Sequence, residues 1–305
     1  MTATTTPASP TPVATRRTAF RIFGLSISTI IRYVMLCALT VLFAGPLLWM
    51  ISLSLKPSDE MNQIPPQLVP IHPTLDNYPM ALYNYLTMVD FNRIVINTIM
   101  YVTLATLGIL LSTSIVAYGF ARIPFKGSAI LFPIVLATLM LPSQVTLIPQ
   151  YLLFRQLDWI NSLKPLIVPV WFGGVGGAFY IFLFRQFFLT IPREFDDAAL
   201  IDGASHFDIL FRIMLPLSVP AAITCVALSL VEHWNDFFGP LIYAPGLDVT
   251  VMAVFLTYFT VPQQATPVNL QMAAASVSVI PVVLIFLVLQ DYFVQGVTMT
   301  GLKEG

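Results

Sequence analysis

The chain has 305 residues, 57% of them hydrophobic and only 10% charged, with a net charge of -1 and a mean hydropathy of +0.83. A soluble domain carries about 25% charged residues, so this composition excludes an ordinary soluble domain and places the chain among membrane proteins. The near-zero net charge excludes a global basic field for nucleic acid.

Residues 1–29 are rich in Thr, Pro and Ala and end in a basic segment. They read as a disordered cytoplasmic tail. The Arg16-Arg17 pair is followed by no small-residue cleavage site, and the first apolar run is long enough to span. A retained tail is therefore expected rather than a removed signal.

Charge-free gaps then mark the spans. Arg32 to Lys56 leaves 23 residues without a charge, Arg93 to Arg122 leaves 28, and Lys126 to Arg155 another 28. Lys164 to Arg185 leaves 20, Arg212 to Glu232 leaves 19, and Asp248 to Asp291 leaves 42. A membrane helix needs about 20 apolar residues. Six spans are predicted, near 30–53, 94–118, 128–150, 165–185, 218–242 and 271–293, within a single membrane domain over 30–294. With both termini cytoplasmic, the inside loops and tails hold ten Lys and Arg residues and the outside holds four. That asymmetry fits the positive-inside rule. Cys37 and Cys225 fall in apolar stretches far apart and read as small hydrophobes, not a disulfide. In span four, Gly173 and Gly177 inside "GGVGG" predict close helix packing.

Chemistry-bearing motifs are sparse. The chain has no G-x-x-x-x-G-K-[ST] to hold ATP, no G-x-S-x-G, and no H-E-x-x-H. His72, His206 and His233 are scattered, so neither a metal site nor a catalytic residue is predicted. Span five carries Glu232, Trp234, Asn235 and Asp236 near its outer end. Acids inside a membrane are costly and are read as functional by default, so these residues and Gln144 of span three are candidates for a solute path. Hydrogen bonding between spans is the competing reading.

The loop between spans four and five, residues 190–217, stands apart. "EFDDAALIDGASHFDILFRIMLPLSVP" runs from Glu194 to Pro220 and holds five of the fifteen acidic residues. Pro192 suits a first helical turn, and Glu194, Asp196 and Asp197 favour its positive end. Gly203 supplies a stop at positive φ. Ser205 and Asp208 fit a capping box with Asp in the usual Glu place. A second helix then presents Phe207, Leu210, Phe211 and Met214. The small residues Ala198, Ala199, Gly203 and Ala204 let another surface approach closely. On pattern alone, a docking device and an amphipathic linker lying on the bilayer both remain open.

This stretch resembles the EAA motif of ABC importer permeases. Asp197-Ala198-Ala199, Asp202-Gly203-Ala204 and Ile213-Met214-Leu215-Pro216 occupy the motif's places, with Asp197 where the family usually has Glu. "SLSLKPSDE" at 52–60, "AYGFARIPFKG" at 117–127, "LPSQVTLIPQY" at 141–151, "WNDFFGPLIY" at 234–243 and the tail "QGVTMTGLKEG" at 295–305 are similar to the carbohydrate-type, maltose-transporter-like branch. The resemblance implies an all-α, six-span permease of a type I ABC importer with a MetI-like fold and a cytoplasmic coupling helix. It implies a bacterial inner-membrane protein that moves a sugar or sugar-like solute by alternating access. The implied partners are a second permease in a heterodimer, an ABC ATPase dimer and an extracytoplasmic binding protein. ATP and Mg would be held by the ATPase and no cofactor by this chain. Glu194, Asp197, Ala198, Ala199, Asp202, Gly203, Ala204, Phe207, Leu215 and Pro216 would dock on the ATPase, and Thr298, Gly301 and Lys303 of the cytoplasmic tail would also reach it. The alternative is a secondary carrier or channel working alone.

Overall fold

A computed structural model describes residues 21–22, 25–61, 63–86, 88–174, 176–260 and 267–301. The expected N-terminal tail through residue 20, with Arg16 and Arg17, lies outside the described residues, as does Lys303. The chain divides into two compact units, 1–49 and 50–305.

In the first unit, Arg21–Ile22 pairs antiparallel with Leu25–Ser26. Helix α1 (Ile27–Ser54) begins there and runs on into the second unit. Its side chains are apolar all round and none of its most apolar stretch is buried. A helix of that kind suits lipid rather than water.

The second unit is organised around α2 (Phe91–Arg122), whose N-terminus is capped by Asp90 accepting from the Asn92 amide at 3.0 Å. One stripe of α2 carries Tyr101, Ala105, Ile109 and Ala117, all buried. Their near-four-residue spacing keeps them on one face. This stripe packs against α5 (Gly177–Thr190) and α8 (Val219–Trp234). Phe184, Phe188, Ile209, Met214 and Cys225 complete that core. A separate apolar cluster gathers Ala81, Phe91, Phe255, Phe259 and Ala273 at the other end of α2, beside the first turns of α9 (Val268–Gly301).

Among the described residues, four helices are long and apolar enough to cross a membrane: Ser28–Ser54, Phe91–Arg122, Lys164–Thr190 and Val268–Gln290. Two bent pairs raise the number to six if each pair is one span. Predicted span three is α3 (Ser128–Ala137) with its trailing turn, followed by α4 (Ser143–Gln156), and the chain turns 97° between them. Pro142 sits at the corner with extended backbone (φ -62, ψ 131). Its missing N–H and fixed φ end the first helix and allow a new one to start. Predicted span five is also shorter than expected. α8 stops at Trp234, Asn235 caps it, and a new short helix runs from Phe238 to Tyr243.

Of the two glycines expected to pack closely in span four, Gly177 is buried against α2, where a Cβ would lie 3.9 Å from the Thr113 methyl, whereas Gly173 does not pack. Gly173 (φ 73) and Gly176 (φ 87) break the helix just before α5 starts. A Cβ on Gly173 would meet no atom of the described residues within 4 Å. A tighter approach is made elsewhere, by Gly108 of α2. A Cβ there would lie 2.4 Å from the Trp171 ring, which is held by its indole N–H donating to Leu104 O at 3.0 Å.

Candidate functional site

Two regions carry the predicted site residues. The first is the 194–217 loop. Helix α6 (Glu194–Ile201) has Glu194, Asp196 and Asp197 in its first turn. It ends in a tight reversal in which the Gly203 amide donates to Leu200 O at 3.1 Å and the Ala204 amide to Ala199 O at 2.9 Å. Gly203 takes φ 80, the left-handed region in which a Cβ is strained. Helix α7 (His206–Ile209) follows and continues as a wider π turn over Leu210–Met214. Its start is a complete capping box, with the Asp208 amide donating to Ser205 Oγ and the Ser205 amide to Asp208 Oδ2, each at 3.2 Å. The Ser205 hydroxyl and amide hold the Asp208 carboxyl below its ordinary value.

The expected stripe of the second helix divides into two. Leu210 and Met214 are buried with Ile209, whereas Phe207 and Phe211 stay exposed. Residues spaced by three and four wrap the cylinder, so one edge enters the core and the other leaves it. Phe195, Leu200 and Ile201 of α6 are exposed as well, Ile201 to 86%. With Leu217 at the loop's end, six large apolar side chains therefore remain outside on a loop of about two dozen residues. Ala198, Asp197, Glu194, Asp202, Gly203 and Pro216 are exposed too, Ala204 and Leu215 are half-buried, and Ala199 is buried. A Cβ added at Gly203 would meet no atom of the described residues within 4 Å.

The loop's inward contacts come from residues that the motif does not emphasise. Arg122, the last residue of α2, donates through Nη2 to Phe188 O at 2.7 Å and to Ile191 O at 2.6 Å. Its Nη1 lies 3.1 Å from Oδ2 of Asp196. One turn earlier, the Tyr118 hydroxyl lies 3.1 Å from Nδ1 of His206. Burial pushes the Asp196 carboxyl above its ordinary value, against the pull of Arg122. The available sequence signal was periodicity. Asp196 and Ala199 are three apart on α6 and share its buried face, while Asp197 points out.

The second region lies where α2, α5 and α8 meet. Tyr180 of α5 donates to Glu232 Oε2 at 2.8 Å, and Tyr101 of α2 donates to Asp236 Oδ2 at 2.7 Å. Asp236 Oδ1 also accepts from the Gly239 amide at 3.1 Å. Ser229 donates to Thr106 Oγ1 at 3.2 Å, and His233 Nδ1 lies 2.7 Å from Ser229 O, so that nitrogen carries the proton. Trp234 donates to Ser278 O of α9 at 3.1 Å, and Asn235 folds back on Val231 O at 2.8 Å. These bonds commit the polar groups of Trp234 and Asp236 to the fold, whereas Asn235 is exposed and is engaged through Nδ2. Glu232 differs, because it is exposed to a cavity of about 700 Å³ lined by Phe179, Tyr180, Val231, Val283 and Phe286. Gln144 is exposed near the start of α4, away from this cavity's lining. In the predicted tail, Thr298 and Gly301 lie on the last turns of α9.

The fold and these two regions define a multi-span helical membrane protein with a folded loop that presents apolar side chains outward and polar groups gathered across its spans, an arrangement that suits a transporter subunit. The chain belongs to the family of binding-protein-dependent transport system inner membrane components, whose model matches residues 106–299. It is 31% identical over 274 residues to the arabinooligosaccharides transport system permease protein AraQ of Bacillus subtilis, covering 87% of this chain and 92% of that protein. It is 31% identical over 259 residues to the trehalose/maltose transport system permease protein MalG of Thermococcus litoralis, covering 85% and 91%. The fold is similar to that in the crystal structure of a bacterial ABC transporter involved in the import of the acidic polysaccharide alginate. There the TM-score is 0.77 and the identity 24%, over 90% of this chain and 100% of that one.

Proposed function

We propose that this chain is the membrane-spanning subunit of an ATP-driven, binding-protein-dependent importer of a sugar or sugar-like solute. Membership of the permease family supports the importer class. The names of the arabinooligosaccharide and trehalose/maltose relatives support the solute class. The observation that carries the coupling role is the 194–217 loop. Its fold is fixed from within by the capping box and by Arg122, yet it leaves Phe195, Leu200, Ile201, Phe207 and Phe211 in solvent. Large exposed apolar groups on a rigid scaffold favour a protein partner.

In this reading the partner is an ABC ATPase dimer that holds ATP and Mg. Glu194, Asp197, Ala198, Ala199, Asp202, Gly203, Ala204, Phe207, Leu215 and Pro216 form or shape the docking surface. Thr298, Gly301 and Lys303 approach the same ATPases. A second permease completes a heterodimer, and a binding protein delivers solute from outside. Both termini are cytoplasmic in a bacterial inner membrane, as the ten-to-four distribution of Lys and Arg favours. Alternating access is then a two-state rigid-body motion driven by approach of the ATPases.

For the solute path, Glu232 is the strongest of the candidates, since it faces an open cavity with one hydroxyl partner. Trp234 and Asp236 shape the path by holding the spans together, Asn235 is exposed beside them, and Gln144 lies further along it.

The test is reconstitution in proteoliposomes of the chain with its co-expressed permease, ATPase and binding protein. Uptake of radiolabelled arabinooligosaccharides or maltodextrins is expected to require ATP inside and binding protein outside. Uptake by this chain alone, driven by an ion gradient, would establish the stand-alone carrier instead.

A further inference from the structure

We propose that Arg122 is the positioning residue that passes displacement of the 194–217 loop to helices α2 and α5, with Asp196 as its partner on the loop. The proposal rests on the docking role given to that loop above and adds the route by which its movement enters the spans.

Three elements converge on one guanidinium. Arg122 belongs to α2, its Nη2 is bonded to Phe188 O in the last turn of α5 and to Ile191 O just beyond, and its Nη1 faces Asp196 in the first turn of α6. The planar fork of arginine reaches two carbonyls and a carboxylate at once, which the single ammonium of lysine does not match. Tyr118 lies four residues before Arg122 on the same face of α2, where it meets His206 of α7. The two helices of the loop are therefore each tied to the same strip of α2. A push on the loop is delivered to α2 and α5 together.

Stability does not account for the pair. The Arg122 and Asp196 side chains are 4% and 13% exposed. Replacing both members of a buried ion pair by well-packed neutral groups is often neutral or stabilising, whereas removing one member leaves the other charge uncompensated; in Asp196→Asn the Arg122 guanidinium keeps its bonds to Phe188 O and Ile191 O. Arg122 Nε and both Asp196 oxygens lack a hydrogen bond in this structure, so the pair is not the bidentate bridge that would maximise its strength. The raised Asp196 carboxyl has the same sign. A folded pKa above the unfolded one favours the fold at low pH, and that contribution is lost as pH rises through the folded value.

The experiment places spin labels at Lys126→Cys, just beyond α2, and Arg212→Cys, on the loop, in a Cys37→Ser/Cys225→Ala background. The complex with its co-purified ATPase is studied in nanodiscs, without nucleotide and trapped with ATP and vanadate. With Asp196 present, the 126–212 distance is expected to be the same in both states, because loop and span move as one body. With Asp196→Asn, the melting temperature is expected to fall, because Arg122 loses its counter-charge, while ATP hydrolysis holds within about twofold of the parent's and the distance shifts on trapping. Asp196→Glu is expected to restore a constant distance. A constant distance in Asp196→Asn, or a distance that already changes in the parent, overturns the proposal. A chain that co-purifies with no ATPase overturns the docking reading itself, and the proposal with it.

Discussion

The Tyr101 hydroxyl donates to Oδ2 of Asp236 at 2.7 Å, joining α2 to the corner after α8. Asp236 also accepts from the Gly239 amide, so both of its oxygens are engaged by the chain. An acid that composition marks as costly in a membrane is here a clamp between spans. Tyr101→Phe is expected to lower stability by about 1.5–3 kcal/mol, as for a hydrogen bond to a charged group. Uptake per folded complex should stay near the parent level. Thermal unfolding in detergent and ATP-dependent uptake check this together. A large loss of uptake at unchanged stability would return Asp236 to the solute path.

Gly203→Ala separates two costs at one position. The φ of 80 makes any L side chain strained there by about 1–2 kcal/mol. The added Cβ meets no atom of the described residues. The variant is therefore expected to fold and insert with a small loss of melting temperature. The strain is present in the variant's free and docked states alike, so it cancels in docking. Any weakening of ATPase binding then reports contact of the partner with the new methyl. Affinity for the ATPase, measured on detergent-solubilised permease, is expected to fall at least tenfold, and further for Gly203→Val. Unchanged affinity for both variants would remove Gly203 from the docking surface.

Gly108 and Trp171 predict a packing defect with a built-in rescue. Gly108→Ala places a methyl 2.4 Å from an indole that is already fixed by its bond to Leu104 O. Overpacking of this kind costs about 1–3 kcal/mol. Trp171→Leu loses the indole's bond and surface but opens the space, so the double variant should be more stable than the sum of the two losses predicts. Contacting residues deviate from additivity in this way. Strict additivity in melting temperature would show that the two do not touch.

The readable parts of this fold were local. Ser205, Asp208 and Gly203 announce a cap and a stop because their partners lie within three or four residues, and the structure has both. The helices of the spans follow from long charge-free runs. Their bends do not, since apolar length says nothing of direction. Pro142 and Asn235 turn or end helices inside stretches that are uniformly greasy. The glycines of "GGVGG" predict packing, which Gly177 meets by lying buried against Thr113, but φ values of 73 and 87 make Gly173 and Gly176 a break, and a tighter approach falls to Gly108. The link from Arg122 to Asp196 spans 74 positions, and the motif draws the eye to Asp197 one residue later. What favours Asp196 is the buried face of α6, which only the packed helix defines.

The loop after α1 supplies the pH dependence. Glu60 is buried, and that burial acts to raise its pKa. It nevertheless lies below its ordinary value of 4.5 because its carboxylate accepts from the Ile71 amide at 3.0 Å, the His72 amide at 2.9 Å and the His72 ring at 3.0 Å. The same loop is tied down by Lys56 bonding to Gln67 O and by Asn77 bridging Ser54 O and Lys56 O at 2.8 Å each, with Asn269 of α9 donating to Asn77 Oδ1 at 3.0 Å. A depressed carboxylate stabilises the fold above its unfolded pKa, and that contribution is lost as pH falls through the folded value. Glu60→Gln keeps one acceptor oxygen but removes the charge. It is expected to lower the melting temperature at pH 7 and to lose that deficit progressively below pH 4.5, where the parent's own carboxylate becomes protonated. A melting-temperature series of parent and variant from pH 7 down to the acid limit of the sample tests this. A deficit that stays constant across the series would mean that the oxygen's position, and not its charge, holds residues 60–72 together.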